Sequence, residues 1–172
     1  TYYIPNIKNS NFPSSKFYET WKSIFYSQNY NMKNFVHKDF EFVNLFFLEN
    51  CESHLQCGII DFQSAFMGFI GWDLISLLEN PRINFTRDYN DKLIEYFYEK
   101  TSIIENLNTF RQQYYLLSLA RQTRLLGRWR KLLSTNNDNQ YLDYLKITKS
   151  RTIATLNNIK NYELRSMYEK YL

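Results

Sequence analysis

Beyond Pro81 the chain contains no proline and one glycine, Gly127. Apolar residues recur there at helical spacing, so the C-terminal half has little alternative to helix. Leu93, Phe97 and Ile104 mark one helical stripe. A long helix is predicted over 109–134, with Tyr115, Leu119, Leu126, Trp129 and Leu133 on one face. Arg121, Arg124, Arg128 and Lys131 fall on the opposite face. A helix over 141–159 and a short one near the C-terminus complete this half. Upstream, Ser14 or Ser15 is placed to cap a helix reaching Ser27, with Phe17, Trp21, Ile24 and Phe25 on one face. The 172 residues are 44% hydrophobic and 19% aromatic, which is ample core for one compact domain.

The middle of the chain has a different character. Pro5 favours an extended start at Tyr2-Tyr3-Ile4, and a loop over 9–15 follows. Phe35-Val36-His37 reads as a short strand. Apolar runs at 44–48 and 58–62, joined by a polar loop over 49–56, predict an antiparallel hairpin with Asp61 on its second strand. Residues 68–71 read as a turn, and a helix begins near Asp73 and stops before Pro81. The fold class expected is mainly α with a small β-hairpin, without internal repeats.

Several function classes recede on composition. No apolar run approaches the ~20 residues that span a bilayer, so a soluble, cytoplasmic protein is expected. The net charge of +4 is a mild excess. The basic stripe on the long helix lacks interleaved exposed aromatics and reads as a solvated face rather than a nucleic-acid surface. Cys51 and Cys57, with only His54 between them, fall short of a structural zinc set, and free thiols at the hairpin tip are expected.

The informative chemistry sits around the hairpin. His37-Lys38-Asp39 opens a loop, Asn44 follows Asp39 by five positions, and Asp61 ends the apolar segment Ile59-Ile60. Phosphoryl transfer needs a carboxylate to orient the attacking hydroxyl and take its proton. It also needs hard oxygen ligands that hold Mg2+ against ATP phosphates. The spacing H-x-D-x-x-x-x-N followed by a second Asp supplies both. Taken singly, Asp39 reads as a turn residue, Asn44 as a strand terminator and Asp61 as a helix cap. Their joint order favours the catalytic reading.

His37-Lys38-Asp39-Phe40 through Asn44-Leu45, with Gly58-Ile59-Ile60-Asp61-Phe62-Gln63, resembles the aminoglycoside phosphotransferase/choline kinase superfamily. The run from Gly68 to Arg82, with Asp73-Leu74-Ile75-Ser76-Leu77-Leu78, is similar to its bacterial branch that phosphorylates the anomeric hydroxyl of N-acetylmuramate and N-acetylglucosamine. Tyr3-Ile4-Pro5 resembles the segment opening that branch's C-terminal lobe, and residues 121–128 resemble its long helix. The resemblance implies that residues 1–172 form the C-terminal, catalytic lobe of a protein-kinase-like fold. It implies Asp39 as base, Asn44 and Asp61 as Mg2+ ligands, and His37 and Asp73 as structural supports of the catalytic loop. Glu41 and Gln63 stand on the acceptor side.

The departures are informative. Lys38 stands where Arg is common, and Glu41 where His is frequent. Gln63 replaces the glycine of a protein kinase Asp-Phe-Gly, which favours a small-molecule acceptor. There is no Gly-rich loop, and only 36 residues precede His37. The N-terminal nucleotide-binding lobe is therefore expected to be missing from this chain, which alone is expected to be inactive. Aminoglycoside, choline, homoserine and fructosamine kinases share these residues and remain open as alternatives. So does a non-catalytic pseudokinase module.

Overall fold

The computed structural model describes residues 12–172 apart from 84, 104 and 137. The extended start at 2–5 and the stripe position Ile104 lie outside the described residues. The chain divides into two compact units, Thr1–Asn29 with Asn108–Leu172, and Tyr30–Leu107.

The first unit is helical. It contains α1 (Ser14–Ser27), most of α4 (Leu107–Asn136), α5 (Gln140–Leu156) and α6 (Tyr162–Tyr171). Pro13, not a serine, occupies the N-cap of α1, and no side chain caps it. Proline tolerates the site because the first amides of a helix have no intrahelical partner. Asn161 caps α6 by accepting from the Leu164 amide at 2.9 Å. Phe110, Tyr114, Leu119 and Leu164 are fully buried and form the centre of the core. Phe17 of α1 meets Tyr168 of α6 at 5.6 Å between ring centres, and Lys16 pairs with Glu163 at 2.9 Å.

The buried arc of α4 is wider than a single stripe, and it takes in Arg121. The basic face is therefore Arg124, Arg128 and Lys131, which are exposed, without Arg121. Helix α5 stops at Leu156, short of Ile159. It buries Thr148, Thr152 and Thr155 rather than an aliphatic row. Thr148 and Thr152 return their hydroxyls to the carbonyls four residues back, each at 2.7 Å. Thr148 also accepts from Trp129 Nε1 at 3.1 Å, and Gln122 Nε2 donates to Thr155 Oγ1 at 3.1 Å. These bonds satisfy polar groups that burial would otherwise penalise.

The second unit holds β1 (Asn34–Val36), β2 (Leu45–Phe47), β3 (Cys57–Ile59), β4 (Phe66–Gly68), α2 (Trp72–Leu78) and α3 (Arg87–Lys100). The expected hairpin is present as β2 against β3, with Phe46 opposite Gly58. A second antiparallel pair joins β1 to β4, with Asn34 opposite Gly68. Gly68 leaves room there for the Phe66 ring, which would have to move aside for an added Cβ at 2.6 Å, with Val36 at 3.1 Å. Val36, Ile75, Leu78 and Ile94 are fully buried beneath the strands and helices of this unit. Thr86 caps α3, and Asn90 Nδ2 donates to the Leu78 carbonyl at 3.2 Å, tying α3 to the end of α2. No helix among the described residues is long and apolar enough to cross a membrane.

Candidate active site

The loop after β1 is held from below by α2. Asp73 lies in the first turn of α2. Its Oδ2 accepts from the His37 amide at 2.7 Å and its Oδ1 from the Lys38 amide at 2.9 Å. Bonds from backbone amides to an ionised carboxylate are stronger than neutral ones. One helical turn on, buried Ser76 donates Oγ to the Lys38 carbonyl at 3.1 Å. Lys38 is thus gripped at both its amide and its carbonyl, and its φ is +77°. A lysine enters that left-handed region only when the surroundings impose it.

His37 is buried, and its Nε2–H donates to the Ile60 carbonyl at 2.9 Å. The carbonyl can only accept, so the hydrogen is on Nε2. The bond anchors the start of the loop to the residue before Asp61.

From Asp39 onward the loop is closed by its own groups. The Asp39 carbonyl accepts from the Glu41 amide at 2.9 Å and from Asn44 Nδ2 at 2.8 Å. The Asn44 amide donates to the Glu41 carbonyl at 2.9 Å, closing a 3-10 turn over Phe42–Asn44. The Asn44 carbonyl accepts from the Ile60 amide at 3.1 Å. Asp39, Asn44 and the residue before Asp61 therefore share one hydrogen-bonded frame at the end of the β2–β3 hairpin.

Asp61 is not on the strand. β3 ends at Ile59, and Asp61 sits two residues beyond in the left-handed conformation, φ 70° and ψ 37°. Asp tolerates this region better than most residues. It precedes a 3-10 turn over Phe62–Ser64, yet its side chain caps nothing there. Its Oδ1 accepts from Gln63 Nε2 at 2.6 Å. Of the two acceptor-side candidates, Gln63 thus touches Asp61. Glu41 instead pairs with Arg82, Nη1 to Oε2 at 2.7 Å. Ser76 and Arg82 received no role from the sequence. Ser76 was detectable as the residue three beyond Asp73, on the same face of α2. Arg82 had no local signal, since its partner is 41 positions away.

The donor set suits a magnesium ion bound with phosphates. Asn44 Nδ2 is committed to a carbonyl, so the amide oxygen is the end left to present to a cation. Asp61 is exposed and retains Oδ2 beyond its bond to Gln63. One carboxylate and one amide oxygen are enough where phosphate and water complete the shell. Among the described residues no cluster of three or more His, Cys, Asp or Glu offers a site made by protein alone. Cys51 and Cys57 are exposed free thiols beside the hairpin tip.

Comparison with known proteins bears on the same segment. The N-acetylmuramate/N-acetylglucosamine kinase of Caulobacter vibrioides is 23% identical over 111 residues, covering 64% of this chain and 30% of that protein. The matched region thus spans under a third of the relative's length. Residues 30–107, the same span as the strand-bearing unit, match the model of the phosphotransferase enzyme family.

Proposed function

We propose that the strand-bearing unit supplies the phosphoryl-transfer site of an ATP-dependent small-molecule kinase. Asp39 is the base. It orients the acceptor hydroxyl and takes its proton as that oxygen bonds to the γ-phosphorus and the bridging P–O bond to ADP breaks. Asn44 through its amide oxygen and Asp61 through its carboxylate would hold Mg2+, which would neutralise the phosphate charge. His37, Asp73 and Ser76 keep the loop in its strained form. An amino sugar of the N-acetylmuramate or N-acetylglucosamine type is the acceptor we favour, on the likeness to the Caulobacter kinase.

The observation that carries this reading is the frame of bonds from Asp73 and Asn44 to residues 37–39. A scaffold has no need to impose a left-handed lysine beside an aspartate. The nucleotide-binding part is proposed to come from outside these residues. The exposed apolar side chains Phe46, Ile59 and Ile60 support that, being surface that a covering part would remove from water.

The test is a steady-state comparison with ATP, Mg2+ and each sugar. It uses the polypeptide in which this segment is joined to its nucleotide-binding part. Asp39→Asn is expected to lower turnover by ~10²-fold or more with nucleotide affinity little changed. Asp61→Asn is expected to weaken Mg2+-dependent nucleotide binding and turnover together. Near-normal turnover in Asp39→Asn would overturn the assignment of the base.

A further inference from the structure

The helical unit carries an open groove of about 520 Å3 that the proposed kinase chemistry does not use. One wall is aromatic: Trp21 and Phe25 of α1 lie stacked, with ring centres 5.2 Å apart and planes 23° from parallel. The other wall is the α4 stripe Arg124, Gly127, Arg128 and Lys131. These positions follow at intervals of three, one and three, so they share one face over about 10 Å of helix.

Three observations make this more than a solvated stripe. Arg124 and Arg128 are exposed, one turn apart on the same face, and neither has an ion-pair partner among the described residues. Like charges at that spacing repel, and an anion between them relieves the repulsion. The Arg128 guanidinium lies 5.7 Å over the Trp129 ring, a contact that leaves its charge unneutralised. Gly127, deep inside a 30-residue helix, is the third. Glycine weakens a helix relative to alanine. Yet a Cβ at this position would meet no heavy atom within 4 Å. Packing does not demand glycine there; the space it leaves belongs to the groove.

We infer that this groove binds an organic anion with a flat aromatic body. The ring lies against the exposed Phe25, which the buried Trp21 backs, and the acid group sits between Arg124 and Arg128, with Lys131 a turn further on. The volume falls in the ~300–1,000 Å3 range of small-molecule sites. Guanidinium groups suit carboxylate, sulfonate or phosphate oxygens and also stack on rings, so one pair of arginines serves both ends of such a ligand. The inference stands apart from the kinase reading, and its test does not involve turnover.

The test is titration of the full chain with 8-anilinonaphthalene-1-sulfonate. Uncharged N-phenyl-1-naphthylamine and inorganic phosphate serve as the ring-only and anion-only controls. The sulfonate is expected to bind at ~1:1 and to outcompete both controls. Arg124→Gln with Arg128→Gln is expected to weaken the sulfonate ~10-fold and leave the neutral probe unchanged. Gly127→Phe, which fills the groove, is expected to abolish binding. Gly127→Ala is expected to raise the melting temperature and keep binding. If Gly127→Phe fails to fold by circular dichroism, the arginine pair decides alone. Sulfonate affinity unchanged by the arginine pair would overturn the site. So would equal loss of the neutral probe in that variant, or phosphate binding as tightly as the sulfonate.

Discussion

In the helical unit Phe110, Tyr114, Leu119 and Leu164 are withdrawn completely from water, whereas the strand-bearing unit leaves Phe35, Phe47 and Phe62 about two-thirds exposed. The two units are held by different means. Four helices offer long faces that enclose a core, so burial of apolar area supplies most of the order. The strands are three residues each, and the core they cover with α2 and α3, Val36, Ile75, Leu78 and Ile94, is smaller. There the arrangement depends on polar side chains that bond to distant backbone: Asp73 to His37 and Lys38, Ser76 to Lys38, Asn44 to Asp39. A helical core is sensitive to volume. A loop built on such bonds is sensitive to single atoms.

That contrast can be broken or sharpened by substitution. The largest effect is expected from Phe110→Ala, which should destabilise the helical unit by about 3–5 kcal/mol through lost burial and a cavity. Urea unfolding followed by near-ultraviolet circular dichroism in a Trp72→Phe background, which leaves Trp21 and Trp129 of the helical unit as the tryptophans, measures it. A loss under about 1 kcal/mol would mean that the core is not what holds this unit. Asp73→Asn changes no volume, yet it removes one charge-assisted acceptor and sets an amide donor against a backbone N–H. About 2–3 kcal/mol should be lost from the strand-bearing unit, with faster hydrogen exchange at the His37 and Lys38 amides. If exchange there is unaltered, the carboxylate is not what grips the loop. Smallest of all, Phe62→Ser should change stability by no more than about 0.5 kcal/mol despite deleting a whole ring, because that ring is already in water. A cost as large as that of Phe110→Ala would erase the distinction between the units.

The same contrast explains what could be read from the sequence. The helices were legible because Leu119, Leu126 and Trp129 recur at the helical period, and the structure buries all three. Arg121 was misplaced because periodicity assigns a charged residue to solvent, whereas the buried arc of α4 is wide enough to enclose it. The end of α5 lies three residues before the expected Ile159 because Ile159 is itself buried, so the apolar pattern runs on past Leu156 into the turn that follows. The β2–β3 hairpin was legible from two nearby apolar runs. The β1–β4 pair was not, since its registered partners Asn34 and Gly68 lie far apart and each strand is brief. Around the site, spacing alone singled out Asp39, Asn44 and Asp61. The left-handed backbones of Lys38 and Asp61 left no trace, because only glycine advertises that conformation in a sequence.

The Asp73 bonds also set an order of events during folding. The β2–β3 hairpin closes over a short stretch, with Phe47 opposite Cys57, and can form on a local timescale of microseconds. His37 meets Asp73 across 36 residues, and Lys38 meets Ser76 across 38. Loop-closure entropy must be met before those contacts return anything. The hairpin therefore precedes the loop that carries Asp39, and a nascent chain that has not yet released α2 from the ribosome holds Asp39 and Asn44 without the frame that arranges them. Assembly of the loop that carries Asp39 is thus a late step, timed by the synthesis of a helix that lies well downstream of it.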